Sequence, residues 1–389
     1  MSILLLTLAS FICYLVIERV VISRVRSAIP MVIAVTGTRG KSSVVRMLAS
    51  ILREDGRTVL AKTTGSQAQY IEPDGTARNV PRRGIVSILE QKKLLKKAAR
   101  LHVNCVVAEV MSIRPENHFV ECQRILCPDV VVVTNVHPDH IDAMGETEQE
   151  IAHVLWNTIP AGSSAYIPEK DRPLFDPLRT TNTSARIVTV PKGSSDSLIE
   201  ILGGAGRTEF AENLDLLAVV CRNLGISEKT AAEGIQNARH DIGQFRIWTY
   251  EFGGKKIFLV NAFAANDPAS TLEVIRKTRE VFGEKVSTFT GLLNLRADRA
   301  DRTLQWIEAL NSGVSAHFGK IYLFGGHAHV VSRRVASSHI ISKKHPEEIT
   351  RTIASEMEPD GVLFGFGNIG GEGQHLVEYW QLKGVEYGV

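Results

Sequence analysis

The chain has few aromatic residues and no concentration of charge. Phe, Trp and Tyr make up 6% of its 389 residues, the formal net charge is +3, and no acidic or basic tail is present. Nucleic-acid-binding proteins commonly combine a basic surface with aromatic stacking platforms, so the composition argues against a nucleic-acid partner. The sequence also contains no internal repeat and no low-complexity segment.

Cysteine is scarce as well. The five residues are odd in number, scattered, and form no C-x-x-C pair: Cys13, Cys105, Cys122, Cys127 and Cys221. This pattern argues against a disulfide framework or a zinc knuckle. We therefore expect reduced thiols that are mostly buried and behave as small apolar side chains.

Charged residues are missing from positions 2–17, SILLLTLASFICYLVI, and the apolar run resumes at 20–22. Its length is marginal for a membrane span, which needs about 17–25 residues. Because it lacks a basic leading region and a small-residue cleavage site, it resembles an uncleaved anchor. By the positive-inside rule, the arginines that follow would keep the rest of the chain in the cytoplasm: Arg19, Arg24 and Arg26. A soluble helix packed on a partner or on the protein body is the alternative.

Apolar runs rich in valine and isoleucine alternate with helical patterns along the remaining chain. The runs lie at 31–35, 103–110, 129–136, 256–263, 320–326 and 361–367. Such strands predict parallel sheets covered on both faces, and hence an α/β fold. The length allows two domains. We place their boundary near 236–247 and expect an apolar segment at 1–26, a central domain at 27–240 and a C-terminal domain at 241–389.

The segment VIAVTGTRGKSS, residues 32–43, has the composition of a phosphate-binding loop. Backbone N–H groups of a glycine-rich loop and the start of the next helix attract anions. In this interpretation Lys41 neutralises the terminal phosphates and Ser42 offers its hydroxyl to Mg²⁺. The strict P-loop pattern requires glycine at position 35, where the chain has Val35, so the loop is a shortened version. An ordinary tight turn between strand and helix is the alternative.

Acidic and imidazole side chains follow two other predicted strands. Glu109 comes after VNCVV, and TNVHPDHID contributes Asn135, His137, Asp139, His140 and Asp142. Ligands of open parallel sheets bind beyond the carboxyl ends of the strands. These residues would suit Mg²⁺ binding and the orientation of a second substrate. Alternatively, Glu109 is a surface acid and the histidines cap a turn.

A second polar cluster lies downstream, in VNAFAANDPAST, LLNLRADRADRT and the loop GFGNIGGEG. Forked arginines and approachable glycine backbone would suit a nucleotide held by a second domain. An exposed, salt-bridged turn explains the arginine-aspartate run equally well. The lysine-rich segment 91–102 predicts a helix with a solvated face, or one placed against anionic lipid or a polyanionic product. His327 and His329 lack an evident third metal ligand and suit a loop.

These motifs together resemble the Mur ligase superfamily. GTRGKSS is similar to its P-loop, AEVMS to the segment with its Mg²⁺-binding glutamate, and TNVHPDHID to its threonine-asparagine and aspartate-histidine signature. Within the superfamily the chain is most similar to the ligase subunit of poly-γ-glutamate synthases, over nearly its whole length. Only about thirty residues precede the P-loop, too few for the UDP-sugar domain of peptidoglycan ligases. The resemblance implies a P-loop ATPase domain with a parallel sheet, a smaller Rossmann-like α/β domain and an apolar N-terminal helix.

The resemblance also implies roles for individual residues. Catalytic roles fall on Lys41, Glu109, His140 and Arg299, and metal binding on Ser42, Glu109 and His140. Nucleotide binding falls on Gly37, Thr38, Arg39, Gly40, Lys41, Ser42, Ser43, Asn261, Asn266, Arg296, Asp298 and Asn368. Two departures are visible, because Leu155 occupies the position of a carbamylated lysine in related ligases and Asn261 replaces an aspartate.

The implied activity is ATP-dependent, ADP-forming amide ligation with Mg²⁺, joining glutamate to a growing poly-γ-glutamate chain through an acyl phosphate. Implied partners are integral membrane subunits of a synthase and export complex, with a possible homo-oligomer. The implied location is the cell membrane, with the catalytic domains on the cytoplasmic side. Two alternatives are a ligase like folylpolyglutamate synthase and a membrane-anchored, ATP-binding switch or scaffold without ligase activity.

Overall fold

The computed structural model describes residues 2–65, 68–82, 86–137, 141–181, 184–203, 209–239, 241–283, 289–336, 338–343 and 345–387. The chain forms two compact units. The first contains the residues before 203 together with 211–240, and the second contains 203–210 together with the residues from 241 onward. Each unit has its own sheet and its own hydrophobic core.

The first unit is built on an eight-stranded sheet. Its strands are β1 (Met31–Thr36), β2 (Val59–Thr63), β3 (Gln69–Ile71), β4 (Ala77–Asn79), β5 (Cys105–Glu109), β6 (Val130–Val133), β7 (Ser164–Pro168) and β8 (Arg186–Val190). Their order is β4-β3-β2-β5-β1-β6-β7-β8, and all neighbours from β2 to β8 are parallel. Strand β1 lies between β5 and β6, with Val35 paired to Glu109 and Thr36 to Val133. The carboxyl ends of these three strands therefore meet at one edge.

Helices cover both faces of this sheet. They are α1 (Ser2–Ser27), α2 (Lys41–Glu54), α3 (Glu90–Arg100), α4 (Pro115–Phe119) with a following π-helix (Val120–Leu126), α5 (Ile141–Met144), α6 (Glu148–Trp156), α7 (Arg172–Phe175) with a 3₁₀ helix (Asp176–Thr181), α8 (Asp196–Leu202), α9 (Ala211–Asn223) and α10 (Glu228–Gln236). Alternate residues of β1 enter opposite cores, Ile33 with α2, α9 and α10, and Val32 with α3 and the π-helix. This two-sided burial explains the continuous apolar strands.

The second unit has a seven-stranded sheet. Its strands are β9 (Arg246–Phe252), β10 (Lys255–Asn261), β11 (Phe289–Leu295), β12 (Phe318–Gly325), β13 (Ser338–Ile340), β14 (Val362–Phe366) and β15 (Val385–Glu386), in the order β13-β12-β11-β14-β10-β9-β15. Its helices are α11 (Pro268–Phe282), α12 (Ala300–Asn311), a 3₁₀ helix (Val314–His317), α13 (Ala328–Ser332), α14 (Pro346–Glu356) and α15 (Glu372–Lys383). The core is rich in aromatic residues, including Trp306, Phe364 and Trp380.

The predicted α/β class is confirmed, but neither sheet is entirely parallel. Strands β3 and β4 form an antiparallel edge in the first unit, and β9 and β15 do so in the second. The turn between β9 and β10 consists of Gly253 and Gly254, whose φ angles are 58° and 76°. Two residues with positive φ make the tight turn that favours a β-hairpin, and this Gly-Gly signal was present in the sequence.

The predicted apolar N-terminal helix is confirmed and extends to Ser27. Within the described residues, Ile3–Ser27 is the one helix long and apolar enough to cross a membrane, with a mean hydropathy of 2.1. Its large apolar side chains are exposed from Ile3 to Ile17, while Ile22 is buried against the first unit. The helix therefore has a buried end and an exposed, membrane-compatible end.

Candidate active site

The loop between β1 and α2 contains two glycines whose conformation other residues rarely adopt. The φ angle is +116° at Gly37 and +80° at Gly40. A Cβ atom at Gly37 would lie 2.2 Å from Thr134 Oγ1, and one at Gly40 would lie 2.8 Å from Asn213 Oδ1. The loop therefore requires glycine both for its backbone angles and for its close packing against neighbouring segments.

Asn135, which follows β6, holds the loop in place. Its Oδ1 accepts hydrogen bonds from Thr38 Oγ1 (2.7 Å) and from the backbone N–H of Arg39 (3.1 Å). Its Nδ2 donates to the Arg39 carbonyl (3.2 Å), and its own carbonyl accepts from the Thr38 N–H (3.2 Å). Asn135 was predicted to help bind metal or substrate, whereas the structure shows its buried amide bound to Thr38 and Arg39 in the loop between β1 and α2.

Lys41 is the first residue of α2, and its side chain folds back over the loop. The ammonium group donates to the carbonyls of Gly37 (2.7 Å) and Thr38 (3.0 Å). These contacts place a positive charge beside the glycine backbone. The geometry agrees with a lysine poised next to a phosphate-binding loop.

Ser42, in the first turn of α2, is in direct contact with Glu109, the last residue of β5. Ser42 Oγ donates to Glu109 Oε2 at 2.8 Å, and the backbone N–H of Thr64 donates to the same oxygen at 2.7 Å. Glu109 is buried at the end of β5. A hydroxyl and a carboxylate oxygen side by side are the oxygen donors that Mg²⁺ prefers.

A cavity of about 170 Å³ opens beside these residues. Its lining combines the loop with the carboxyl ends of β2 and β5, and consists of Thr36, Gly37, Thr38, Lys41, Thr64, Glu109, Val110, Met111, Ser112, Ile113, His118 and Met144. The location agrees with the rule that ligands of parallel sheets bind beyond the carboxyl ends of the strands.

His118 belongs to this cavity but was not predicted. It is only 2% exposed, and neither ring nitrogen has a partner of normal hydrogen-bond geometry within the described residues. Burial lowers the pKa of His118 to about 3, with Lys41 adding to the effect and the nearby Ser112 backbone opposing it. The imidazole is therefore neutral and offers one N–H donor and one lone pair. Position 118 carries no motif, so only the fold reveals it.

A second buried acid supports the cavity wall. Glu121 of the π-helix accepts hydrogen bonds from the backbone N–H groups of Met111 (3.0 Å) and Ser112 (2.9 Å), and from Gln91 Nε2 (2.6 Å). Gln91 Nε2 also donates to the Glu109 carbonyl at 3.0 Å. Burial raises the pKa of Glu121, and these hydrogen bonds oppose the rise. Glu121 thus fixes the loop after β5, and with it the end of the strand that carries Glu109.

The histidine-aspartate segment is described only in part. The backbone N–H of His137 donates to Thr38 Oγ1 at 3.1 Å, so the segment begins beside the loop. Asp139 and His140 lie outside the described residues, as does the side chain of Asp142. Leu155, which the sequence resemblance aligns with a lysine of related ligases, is buried in an apolar core. Among the described residues, no group of three His, Cys, Asp or Glu side chains is arranged to hold a metal.

In the second unit, several predicted residues lie at the carboxyl ends of neighbouring strands. After β11, Arg296 forms a two-point ion pair with Asp298 (2.9 and 2.6 Å), and Arg299 is exposed. After β14, Asn368 Oδ1 accepts from the Gly370 N–H at 2.8 Å, and Asn368 and Gly370 carbonyls accept from Asn294. These residues form one polar edge of the second sheet.

The remaining two predicted residues differ in accessibility. Asn261, at the end of β10, is 1% exposed and donates to the carbonyls of Ile242 (2.8 Å) and Gln244 (2.9 Å). Its amide therefore holds the chain that enters β9. Asn266 is exposed in the segment before α11.

Two family models match the chain. The one described as Mur ligase middle domain matches residues 35–199, and the one described as poly-gamma-glutamate synthase CapB C-terminal domain matches residues 247–383. The first match relates residues 35–199 to the Mur ligases as a class. Over most of its length the chain is homologous to CapB proteins. It is 29% identical over 360 residues to PGA synthase CapB of Bacillus subtilis (strain 168), covering 90% of each chain.

Another relative agrees with this homology, and two solved structures share the fold. The capsule biosynthesis protein CapB of Bacillus anthracis is 28% identical over 365 residues, covering 90% of this chain and 76% of that protein. Yersinia pestis bifunctional folylpolyglutamate synthase/dihydrofolate synthase, complexed with AMPPNP and Mn, has a TM-score of 0.64 at 16% identity, covering 96% of this chain and 97% of the other. E. coli FolC, in complex with DHPP and ADP, has a TM-score of 0.67 at 14% identity, covering 94% and 92%. These structures confirm the fold.

Proposed function

We propose that the chain is an ATP-dependent, ADP-forming ligase that makes γ-glutamyl amide bonds in poly-γ-glutamate synthesis. The homology to PGA synthase CapB over 90% of both chains supports this activity. The observation that carries it is the hydrogen bond from Ser42 to Glu109. This contact lies next to Lys41, where the glycine loop that follows β1 leads into α2. This arrangement would suit a phosphate cradle beside an oxygen-rich metal site.

The residues present fit a nucleotide and a magnesium ion. The loop needs glycine at Gly37 and Gly40, because a Cβ atom at either would overlap a neighbouring side chain. We assign the phosphates to the backbone and side chains of Gly37, Thr38, Arg39, Gly40, Lys41, Ser42 and Ser43. Ser42 and Glu109 would hold Mg²⁺, together with His140. Because the Ser42 hydroxyl donates its proton to Glu109, its lone pairs remain available to a cation.

ATP would supply the phosphoryl group that converts a γ-carboxylate into an acyl phosphate, and Mg²⁺ would offset the charge on the phosphate oxygens. The carboxylate belongs to glutamate or to a growing chain end. Attack by an amine on the acyl carbon then forms the amide and releases phosphate. Positioning and charge neutralisation account for most catalysis of this kind.

The side chains around the cavity have distinct tasks. Lys41, which donates to two loop carbonyls, would neutralise charge on the phosphates. His118, neutral and buried, would orient the ligand bound in the cavity through its N–H or its lone pair. Glu121 keeps the wall of the cavity in place through Met111 and Ser112.

We also assign binding of a nucleotide or acyl phosphate to polar residues of the second unit. Arg296, Asp298, Arg299, Asn266 and Asn368 lie at strand ends or in exposed loops. A guanidinium paired with a nearby carboxylate is already oriented for a planar anion. A nucleotide-binding role is less well supported for Asn261, because its side-chain amide already donates to backbone carbonyls.

Attachment to the cell membrane through α1 completes the proposal, with both units on the cytoplasmic side. The helix is exposed and apolar over most of its length. Arg19 would remain near the headgroups, whereas Arg26 is bound to the first unit. A polyanionic product requires export, so integral membrane subunits are the expected partners, with a possible homo-oligomer.

The test combines the protein in membranes with ATP, Mg²⁺, glutamate and hydroxylamine, which intercepts activated carboxylates. We expect glutamyl hydroxamate and ADP to form together. Both should vanish in Lys41→Ala, while Lys229→Ala, at an exposed position on α10, should behave like the wild type. Circular dichroism would verify that Lys41→Ala is folded.

Other outcomes would redirect the proposal. AMP in place of ADP would indicate an adenylate mechanism. Product with a folate but not with glutamate would indicate a folylpolyglutamate synthase. ATP binding without either product would favour a switch or scaffold, and full activity of Lys41→Ala would refute the assignment of the phosphate loop.

A further inference from the structure

The C-terminal end of α1 is fixed at the amino-terminal edge of the first sheet. The Arg26 guanidinium donates to the carbonyls of Leu126 (2.9 Å), Cys127 (2.9 Å) and Ile29 (3.0 Å), and pairs with Asp129 Oδ2 (2.6 Å). These acceptors immediately precede β6 and β1. Because four oxygen acceptors bind one guanidinium, the C-terminal end of α1 has a fixed position against the first unit.

A second contact fixes α1 at the opposite edge. Glu18 forms an ion pair of 2.8 Å with Lys92, in the first turn of α3. The adjacent Gln91 donates to the carbonyl of Glu109, the last residue of β5. Glu18 therefore lies at the carboxyl edge, the edge that carries the phosphate loop. From residue 18 to 26 the helix rises about 12 Å, which matches the length of a five-residue strand at about 13 Å.

The rest of α1 continues past the carboxyl edge. The large apolar side chains from Ile3 to Ile17 are 45–80% exposed, and the helix runs without a break into the docked part. No linker separates the exposed apolar stretch from the Glu18–Lys92 ion pair. If α1 enters a bilayer, the headgroup layer must begin at the carboxyl edge of this sheet.

Exposed apolar residues accompany α1 at this edge, and we name them the rim: Leu89, Ile113, Phe119 and Val120. Leu89 precedes α3, and the other three follow β5, where α4 and the π-helix begin their crossing back to β6. Both α3 and the π-helix pack against α1. The rim is therefore continuous with the helix that carries the apolar surface.

Positive charges lie next to the rim. Lys93 and Arg124 are exposed, and the Arg124 guanidinium carbon lies 5.3 Å from the centre of the Phe119 ring. Aromatic and aliphatic groups interleaved with cations are typical of surfaces that enter the boundary between headgroups and acyl chains of anionic membranes.

We propose that the rim rests on the headgroup layer of an anionic bilayer, so that the first unit turns its phosphate-loop edge toward the membrane. This inference rests on the proposed attachment through α1. It adds an orientation, because Ile113 belongs both to the rim and to the lining of the active-site cavity. Chemistry in that cavity would then take place within a side-chain length or two of the bilayer surface.

The test introduces the photoreactive residue benzoylphenylalanine at single positions of the full chain, in nanodiscs containing anionic lipid. We expect phospholipid adducts at Leu89 and Phe119, several-fold more abundant than at Leu101. Leu101 is a matched control because it is 45% exposed and lies just past the other end of α3, at the opposite edge of the sheet. A probe at Leu8 on α1 reports attachment itself.

The outcomes separate the two levels of the proposal. Adducts at Leu8 but none at Leu89 and Phe119 would overturn the orientation and leave the attachment intact. Equal or greater labelling at Leu101 would also overturn the orientation, and no adduct at Leu8 would remove the attachment on which it rests. Lys93→Glu with Arg124→Glu should reduce the rim adducts several-fold, whereas Lys229→Glu should not. An unchanged yield would refute the role of the cations.

Discussion

Burial of His118 should make the first unit less stable in mild acid. An ordinary histidine has a pKa of 6.5, whereas that of His118 is lowered to about 3 in the folded protein. Between these values the unfolded chain binds a proton that the folded chain does not. Stability should therefore fall as the pH drops below 6.5 and level off near pH 3.

The magnitude follows from the two pKa values. At about 1.4 kcal/mol for each pH unit, the difference between 6.5 and about 3 limits the effect to about 5 kcal/mol. At pH 5 the folded imidazole is still neutral, and the expected loss relative to pH 8 is about 2 kcal/mol. This figure applies because the side chain is almost fully enclosed.

The assay is hydrogen exchange measured by mass spectrometry, on the most protected amides of β1 and α2, at pH 5 and pH 8. His118→Gln removes the titrating group and should lose about 2 kcal/mol less stability than the wild type between these conditions. His153→Gln, at an exposed position on α6, should behave as the wild type. If wild type and His118→Gln lose the same free energy, the imidazole is not held neutral by burial and the reasoning fails.

Two further substitutions test the phosphate loop. Gly37→Ala should lower the stability of the first unit by about 1–3 kcal/mol and greatly weaken ATP binding, because the Cβ overlaps Thr134 Oγ1. Gly162→Ala also has positive φ but nothing within 4 Å, so calorimetric ATP titration should find normal affinity; equal losses would refute the packing argument. Asn135→Ala should weaken ATP binding through a looser loop and cost about 1–3 kcal/mol, because Thr38 and Arg39 lose their shared acceptor. Unchanged nucleotide affinity in Asn135→Ala would show that the loop does not depend on this contact.

Features encoded by neighbouring residues were predictable from the sequence. The apolar strands of both sheets follow from valine-rich runs, and the loop before Lys41 follows from its glycines and the amphipathic helix behind it. The contact between Ser42 and Glu109 was also within reach, because the carboxyl ends of parallel strands converge.

Features that depend on distant residues were not predictable in the same way. Asn135 contacts a loop 96 residues earlier in the chain, and an asparagine beside a histidine-aspartate segment looks like a ligand rather than a support. The sequence predicts that Arg26 lies near lipid headgroups. In the structure it donates instead to backbone carbonyls about a hundred residues away in the chain. His118 stands out only because it is buried, and no pattern in the neighbouring sequence predicts that burial.

The support that Asn135 and Thr38 give to the phosphate loop has a kinetic consequence. Fixing the backbone of one residue costs about 1–2 kcal/mol of conformational entropy. Contacts of Asn135 with Thr38 and Arg39 already fix the loop in the folded protein, before any ligand binds. A nucleotide would bind a loop that is already ordered. Its association rate should therefore depend on diffusional encounter and on charge, and not on ordering of the loop. Nucleotides of equal charge should then be captured at similar rates and distinguished by how long they stay bound.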